Sequence, residues 1–235
     1  MCGRYSLTTS AAELAKQFWL ANEPTLIPRF NIAPTQPVGV VLQDHDGDGQ
    51  SQFRMMRWGL VPNWAKDVSI DGRMINARSE TVTTKPSFRS AIRYRRCLIP
   101  ADGFYEWKRV GQHKQPHRIT TTNGGLFAFA GLWEHCPSDA GDQLETCAIL
   151  TCNPNPLMAT IHNRMPVMLA RNDYRQWMTP AVTDAKTLAP LLTAFTAEPM
   201  IAYPVGLVVN NPKNNNPQCI EPLPQPDDLF GPPID

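Results

Sequence analysis

The chain has 235 residues, a formal net charge of +1 and a charged fraction of 18%, below the roughly 25% of an average soluble domain. Its hydrophobic fraction of 42% is sufficient for a buried core, so the composition excludes an intrinsically disordered chain. The near-zero net charge excludes a uniformly basic nucleic-acid coat, although it is compatible with a local basic groove.

The six cysteines do not form a metal-binding pattern. They include no Cys-x-x-Cys pair, and no histidine follows at zinc-finger spacing, so we predict no metal site. The amino terminus lacks the charged and apolar regions of a signal peptide, and no apolar run reaches the length of a membrane span. These features predict a reduced, cytoplasmic protein that makes no membrane contact.

The first predicted element is a short helix in SAAELAKQFWL, where Ser10 and Glu13 have the spacing of a capping box. The β-like runs PVGVVLQ and QFRMMRWGL flank the polar stretch DHDGDGQS, which predicts a β-hairpin. The loop has aspartates at calcium-loop spacing, but its twelfth position is Met55 where a glutamate is required. We therefore favour a plain hairpin loop over a calcium site.

The middle of the chain continues with KPSFRSAIR, where Pro86 predicts a helix start, and with the strand-like run RRCLIPADGFYEWK. Extended segments follow at HRITTT, LFAFAGLWE, TCAILTCN and RMPVMLA. The last predicted elements are helices at NDYRQWM and TDAKTLAPLLTA and a strand at YPVGLVV.

Because the strands cluster and the helices are peripheral, we predict an α+β fold. It would be a compact single domain with a mostly antiparallel, barrel-like β core. We place this domain at residues 1–210. Residues 211–235 are rich in proline and asparagine, and we expect an extended or partly disordered tail there.

The amino-terminal stretch MCGRY has two chemical interpretations. The side chain of Cys2 is small enough to permit removal of Met1, which would leave an amine and a thiol on one residue. The thiolate could then act as a nucleophile with the amine as its base, or the pair could trap an aldehyde as a thiazolidine. The alternative is an ordinary small residue at a frayed terminus.

Three further residues are candidates for catalysis. Glu106 lies between Tyr105 and Trp107, where burial would raise its pKa; the alternative is a solvent-facing glutamate. His162 could give or take a proton near neutral pH, or could be structural. Asn76 could orient the terminal amine through its side-chain carbonyl, or could occupy a turn.

Arginines and tryptophans near these positions suggest a polyanionic ligand. Arg4, Arg78 and Arg164 each fall within two residues of a candidate catalytic residue, and guanidinium groups suit phosphate oxygens. Trp58 and Trp64 could stack on the bases of a single strand. The alternative is that the tryptophans are buried and the arginines form surface ion pairs.

Together, MCGRY, WGLVPNWAKD, INARSET, CLIPADGFYEWK and IHNRMPV resemble the SOS response-associated peptidase (SRAP) family, whose members sense abasic sites in single-stranded DNA. The resemblance covers most of the predicted domain. It implies that Met1 is lost, by self-cleavage or to an aminopeptidase. It also implies that Cys2 forms a thiazolidine crosslink with the open-chain sugar of an abasic site, with a possible lyase activity.

The resemblance further implies that Asn76 positions the Cys2 amine, and that Glu106 and His162 handle protons during ring opening, imine formation and reversal. Some members have a second tryptophan where this chain has Ala65, which leaves base stacking beside the lesion open. The remaining implied residues contact DNA: Arg4, Arg78 and Arg164 at phosphates, and Asn31, Pro34 and Trp64 along the groove.

We expect a cytoplasmic protein that associates with the nucleoid when it binds DNA. No spacing suggests a cofactor, and we expect a monomer because one chain can cover one lesion.

One alternative belongs to a different class of enzyme. MCG also begins the cysteine-dependent N-terminal nucleophile amidotransferases, in which the thiol attacks glutamine. With 235 residues, this chain has little room for the synthase domain that such enzymes usually carry. A peptidase acting on other proteins and a nucleic-acid-binding module without chemistry are further alternatives.

Overall fold

The fold is taken from a computed structural model, which describes residues 2–43, 51–65, 74–137 and 143–224. The aspartate-rich loop DHDGDG, residues 66 and 67 of the WAKD stretch and the last residues of the predicted tail lie outside these ranges. Within them, no helix is both long enough and apolar enough to span a bilayer.

Strands outnumber helices in the described ranges. The α-helices are α1 (Ala11–Phe18), α2 (Ala91–Tyr94), α3 (Pro156–Ala159), α4 (Tyr174–Met178) and α5 (Ala185–Leu188). The strands are β1 (Tyr5–Leu7), β2 (Arg29–Ile32), β3 (Pro37–Gln43), β4 (Ser51–Trp58), β5 (Asn76–Arg78), β6 (Arg96–Ala101), β7 (Gly103–Val110), β8 (His113–Thr121), β9 (Phe127–Pro137), β10 (Gln143–Cys152), β11 (Met165–Pro166), β12 (Met168–Leu169) and β13 (Met200–Pro204).

Five of the strands close into a barrel. Strand β10 pairs with β4, β4 with β3, β3 with β6, β6 with β9, and β9 returns to β10. Only the β4–β10 pairing in this ring is parallel, and β5 adds a second parallel partner to β10. The predicted α+β fold with a mostly antiparallel, barrel-like core is therefore confirmed.

A second sheet, in the order β13-β8-β7-β1-β2, packs against the barrel and is antiparallel throughout. Tyr5 of β1 joins the two sheets, because its ring meets Trp58 of β4 edge-on at 5.4 Å and Phe129 of β9 at 5.8 Å between centroids. These contacts fix the amino-terminal strand beside the barrel.

Two local predictions are confirmed. Helix α1 has Ser10 as its N-cap, with the predicted reciprocal hydrogen bonds to Glu13. Strands β3 and β4 pair in antiparallel register from Pro37–Arg57 to Gln43–Ser51, as the hairpin pattern predicts. Both features depend on residues close together in sequence.

The run RRCLIPADGFYEWK is not one strand, as the sequence predicted. It divides at Asp102 into β6 and β7, which belong to different sheets. The buried Asp102 carboxylate accepts hydrogen bonds from Ser6 and Thr8 and pairs with Arg118 at 3.2 Å. A side chain at Gly103 would place its Cβ 2.6 Å from the Arg118 guanidinium carbon, so it would push Arg118 away from Asp102.

Two other predicted elements shift. The helix expected from Pro86 begins at Ala91 and has a single turn, and the residues before it form turns. In YPVGLVV, β13 ends at Pro204 and Leu207–Asn210 form a 3-10 helix. Strand β13 instead extends backwards to Met200, where it pairs with β8.

Part of the predicted tail packs against the domain. Cys219 is fully buried in a small apolar cluster with Tyr105, Val205 and Val209. A short 3-10 helix at Pro217–Cys219 brings it there. The domain boundary at residue 210 stays a prediction, but residues 211–224 are ordered on the surface of the second sheet.

Candidate functional site

Cys2 lies buried at the junction of the two sheets, just before β1. Its thiol is 4.0 Å from the carbonyl oxygen of Arg4. The side-chain Nδ2 of Asn76 donates a hydrogen bond of 2.8 Å to the backbone carbonyl of Cys2. The frayed-terminus alternative for Cys2 is therefore wrong for this fold.

Strand β5 sets the position of Asn76. It runs parallel to β10, with Asn76 opposite Ile149 and Arg78 opposite Thr151. Because side chains alternate along a strand, Ala77 enters the core and its two polar neighbours share the other face. The Oδ1 atom of Asn76 is buried and has no hydrogen-bond partner among the residues that the structure describes. The amide thus holds Cys2 through its nitrogen, whereas the sequence suggested its oxygen.

Glu106 lies on the inward face of β7. Tyr5 pairs with Phe104, and alternation places Phe104 and Glu106 on the face toward the barrel. Only 3% of Glu106 is exposed, so the solvent-facing alternative is wrong. Burial raises the pKa of its carboxyl, although the positive charges of the amino terminus and His162 oppose the change.

The charge of Glu106 also acts on the Cys2 thiol. Burial raises the pKa of that thiol well above its usual range, and the Glu106 carboxylate raises it further. The thiol is consequently protonated at neutral pH. A reaction at its sulfur needs a base close by, and Glu106 is close enough to influence it.

His162 follows α3, and its backbone N–H donates to the carbonyl of Met158 at 2.8 Å. Its ring Nδ1 lies 3.1 Å from the backbone nitrogen of Arg164 and 3.2 Å from the carbonyl of the same residue. An unprotonated Nδ1 accepts the Arg164 N–H and leaves the ring proton on Nε2, whereas a protonated Nδ1 donates to the Arg164 carbonyl. The ring is close enough to Glu106 to lower the pKa of that carboxyl.

The Arg164 side chain is bound by protein groups. Its two terminal nitrogens contact the Glu80 carboxylate at 2.6 and 3.0 Å. They also donate to Asn153 Oδ1 at 3.2 Å and to the Thr151 carbonyl at 2.6 Å. This arrangement differs from the open guanidinium expected of a phosphate contact.

Arg4 and Asn31 lie in the wall of the site. Arg4 donates to Asn31 Oδ1 and to the Val209 carbonyl, both at 2.7 Å, and packs over the Trp107 ring at 5.8 Å. Asn31 is 2% exposed, so as described it faces protein and not an open groove. Its Nδ2 donates to backbone carbonyls of Val209, Asn211 and Asn214.

Three of the predicted DNA contacts are accessible. Arg78 is exposed, and its side chain makes no hydrogen bond within the described ranges. Trp64 is 60% exposed, whereas Trp58 is fully buried and donates to the carbonyl of Ile75. Pro34 is half-buried and precedes Thr35, which has a left-handed φ of 68°.

Sequence reasoning missed Glu80 and Thr151. Glu80 could have been found from the sequence, because polar residues recur at every second position in NARSE and continue the polar face of β5. The sequence carried no such indication for Thr151, since its contact is made by a backbone carbonyl, which every residue has. Within the described ranges, no cluster of three His, Cys, Asp or Glu side chains could hold a metal ion.

Comparison with known proteins bears on this arrangement. The family described as SOS response associated peptidase (SRAP) matches residues 1–212. The abasic site processing protein YoqW of Bacillus subtilis is 44% identical over 94% of this chain and 99% of its own length. HMCES of Xenopus tropicalis, also named an abasic site processing protein, is 32% identical over 82% of this chain and 65% of its own.

A solved structure agrees with these matches. The crystal structure of a Bacteroides thetaiotaomicron protein has a TM-score of 0.84 to this fold at 26% identity, covering 94% of this chain and all of that one. The family match extends over both sheets and every residue of the site described above. The chain therefore belongs to the SOS response-associated peptidase family.

Proposed function

We propose that this protein recognises abasic sites in single-stranded DNA and, once Met1 is removed, forms a covalent thiazolidine crosslink with them through Cys2. The observation that carries the proposal is the convergence of Cys2, Asn76, Glu106 and His162 between the two sheets, where Cys2 and Glu106 are buried and the other two are half-buried. The names of the relatives supply the substrate class.

Loss of Met1 would turn the Cys2 nitrogen from an amide into an amine. Asn76 already holds the Cys2 carbonyl, and its unpartnered Oδ1 can accept a hydrogen bond from the new amine. This contact would satisfy a buried acceptor and orient the amine lone pair. We propose that Met1 leaves by hydrolytic self-cleavage: Glu106 takes a proton from the attacking water, and the Met1–Cys2 bond breaks to give free methionine and the Cys2 amine. This role accounts for a buried carboxyl beside residue 2.

The crosslinking reaction then has two bond-forming steps. The amine adds to C1′ of the open-chain sugar, and loss of water gives an imine. The thiol adds to the imine carbon, the S–C1′ bond forms, and the nitrogen takes up a proton. One water is released in total and no electrons are transferred to another molecule.

Glu106 and His162 would move the protons. The Cys2 thiol holds its proton at neutral pH, so Glu106 accepts this proton as the S–C1′ bond forms. A neutral His162 with its proton on Nε2 can donate to the sugar ring oxygen during opening. Ring closure removes the imine that β-elimination requires, so a lyase activity would be slow while the thiol is present.

The DNA strand would follow the accessible residues of the site. Exposed Arg78 suits a phosphate, and exposed Trp64 offers a face for a base. One chain carries every residue that the reaction needs, which supports a monomer. Arg4, Asn31 and Pro34 would shape the wall of this groove.

The test is to mix protein of known amino-terminal mass with a single-stranded oligonucleotide carrying one abasic site. We expect a heat-stable adduct on a denaturing gel, with the mass of protein plus DNA minus one water. The undamaged strand should give no adduct, and Cys2→Ser should give only a transient imine. If Met1 is absent and no adduct forms, the proposal fails, and glutamine hydrolysis should then be assayed.

A further inference from the structure

We propose that residues 223–227 of this chain pair with the outer edge of strand β13 and extend the second sheet by one strand. Residues 225–227 lie outside the described ranges, and the described residues up to Pro224 lead the chain to this edge. The inference goes beyond the proposed function and does not depend on it, because it assigns an interaction surface and its occupant at a distance from Cys2.

Strand β13 is the outermost strand of the second sheet among the described residues, since the sheet order begins β13-β8. On its inner side, the Thr122 N–H donates to the Pro199 carbonyl at 2.8 Å and the Val205 N–H donates to the Pro116 carbonyl at 3.0 Å. In an antiparallel pair, every second residue of a strand bonds to the partner strand. The residues whose backbone groups face β8 are therefore 199, 201, 203 and 205.

The residues between them present their backbone groups to the outer edge. The N–H of Met200 is used in a turn, where it donates to the carbonyl of Ala197 at 2.9 Å. The Met200 carbonyl and both backbone groups of Ala202 point away from β8. An edge of this kind is a template for a further strand.

The chain meets this edge at the end of its described residues. Val205 and Pro222 form an antiparallel bridge, and the Leu223 N–H donates to the outward carbonyl of Pro204 at 2.9 Å. These contacts set the register of everything that follows, because each further step along the tail moves one step back along β13.

The same register gives each outward group of β13 a partner. Gln225 would lie opposite Ala202 and exchange both backbone hydrogen bonds with it. The Asp227 N–H would lie opposite the carbonyl of Met200. Because the first pair is already formed by Leu223, the tail pairs within one molecule and has the advantage over a second copy of the chain.

The prolines of the segment suit an edge strand. Pro222, Pro224 and Pro226 alternate with Leu223 and Gln225, whose N–H groups face β13 in this register. The missing proline donors therefore face away from the sheet, where an edge strand tolerates them. Leu223 and Gln225 each precede a proline, which restricts them to extended conformations. The alternation favours pairing on one side and blocks a further strand on the other.

The side chains of the two segments also match. Pro226 would lie opposite Ile201, which is 41% exposed although it belongs to a strand. Pro224 would lie opposite Tyr203, which packs against the apolar cluster that contains Tyr105. Both are pairs without mutual hydrogen bonds, in which side chains lie closest together. The two proline rings would thus cover the exposed part of this face.

The exchange rate of the Ala202 backbone amide, followed by NMR, tests the pairing. Gln225→Pro removes the N–H that faces Ala202, so we expect this amide to exchange roughly fivefold faster or more, the order expected for loss of one hydrogen bond. Gln225→Ala is the matched control, because it removes the side chain and keeps the N–H. The Ala202 amide of this control should exchange as slowly as in the wild type.

The amide of Ile149, which donates to the Ile75 carbonyl in the barrel, should exchange equally in all three proteins and shows that each is folded. Equal exchange of Ala202 in Gln225→Pro and the wild type would overturn the inference. Protection of Ala202 that rises with protein concentration would also overturn it, since a second copy would then cover the edge. The proteins are compared without DNA, so absence of an abasic-site adduct would bear on the proposed function alone.

Discussion

At the scale of single residues, the site joins a buried thiol to a buried carboxylate. Burial raises the pKa of both Cys2 and Glu106, and the Glu106 carboxylate raises the pKa of the thiol further. In the proposed ring closure, the Glu106 carboxylate takes the proton that leaves the sulfur. Holding an ionisable group in this buried position lowers the stability of the fold when the group is charged.

The loss of stability on ionisation predicts that the contribution of Glu106 to the free energy of unfolding depends on pH. Its folded pKa lies above the usual value, so between those two values the folded state binds more protons than the unfolded state. The stability contributed by the neutral carboxyl is complete below the usual value and is lost as pH rises through the raised one. Glu106→Gln, which cannot ionise, should therefore gain stability over the wild type as pH rises through this window.

Calorimetry across a pH series tests this, with both proteins checked by mass for the same amino terminus. A difference of 1 kcal/mol corresponds to roughly 2–4 °C in a domain of this size, so a modest effect is measurable. The melting temperatures should converge at low pH. An advantage of the variant that grows as pH falls would contradict the assignment. Glu23→Gln, which removes an exposed carboxylate, serves as the reference substitution.

At the scale of elements, a feature could be predicted when the residues that form it lie close together in the sequence. The α1 capping box and the β3–β4 hairpin arise from neighbouring residues, and both were predicted correctly. The break between β6 and β7 was missed, because Asp102 is fixed by Ser6, Thr8 and Arg118 from other strands. The local sequence pattern carries no information about partners on other strands.

In the candidate site, too, features set by local residues could be predicted, and features that depend on distant residues could not. Cys2, Glu106 and His162 were suggested by residue type and setting, and the fold brings them together. The hydrogen bonds of Asn31 to the segment 209–214 were not predictable, since the partners are 178 to 183 residues away and are backbone carbonyls. Conformation alone puts those carbonyls within reach.

Asn31→Ala should therefore act on stability. It removes three hydrogen bonds to backbone carbonyls and one from Arg4, and leaves buried groups without partners. We expect a loss of about 2–3 kcal/mol in the free energy of unfolding. Urea denaturation measures the loss, and Asn22→Ala, an exposed asparagine, should change it by less than about 0.5 kcal/mol. Equal stability of Asn31→Ala and the wild type would show that the segment is not anchored there.

At the scale of the whole molecule, the barrel and the second sheet together hold the amino terminus. The barrel closes on itself, while β1 lies within the second sheet between β2 and β7. Asn76 beside the barrel holds residue 2 directly, and β7 of the sheet pairs with β1, which follows it. Since the net charge is only +1, attraction to DNA must come from local groups and not from the overall field.

Removal of Arg78 gives the clearest test of whether a local positive charge attracts the DNA. It is exposed and adjoins the site through β5, and its side chain makes no hydrogen bond within the described ranges. A contact to one phosphate of a single strand contributes about 0.7 to the slope of log affinity against log salt. Arg78→Gln should lower the slope by about that amount, as measured by fluorescence anisotropy with an undamaged strand. Arg109→Gln removes another exposed arginine of the second sheet and should leave the slope unchanged. Equal slopes for Arg78→Gln and the wild type would place the DNA path away from the carboxyl end of β5.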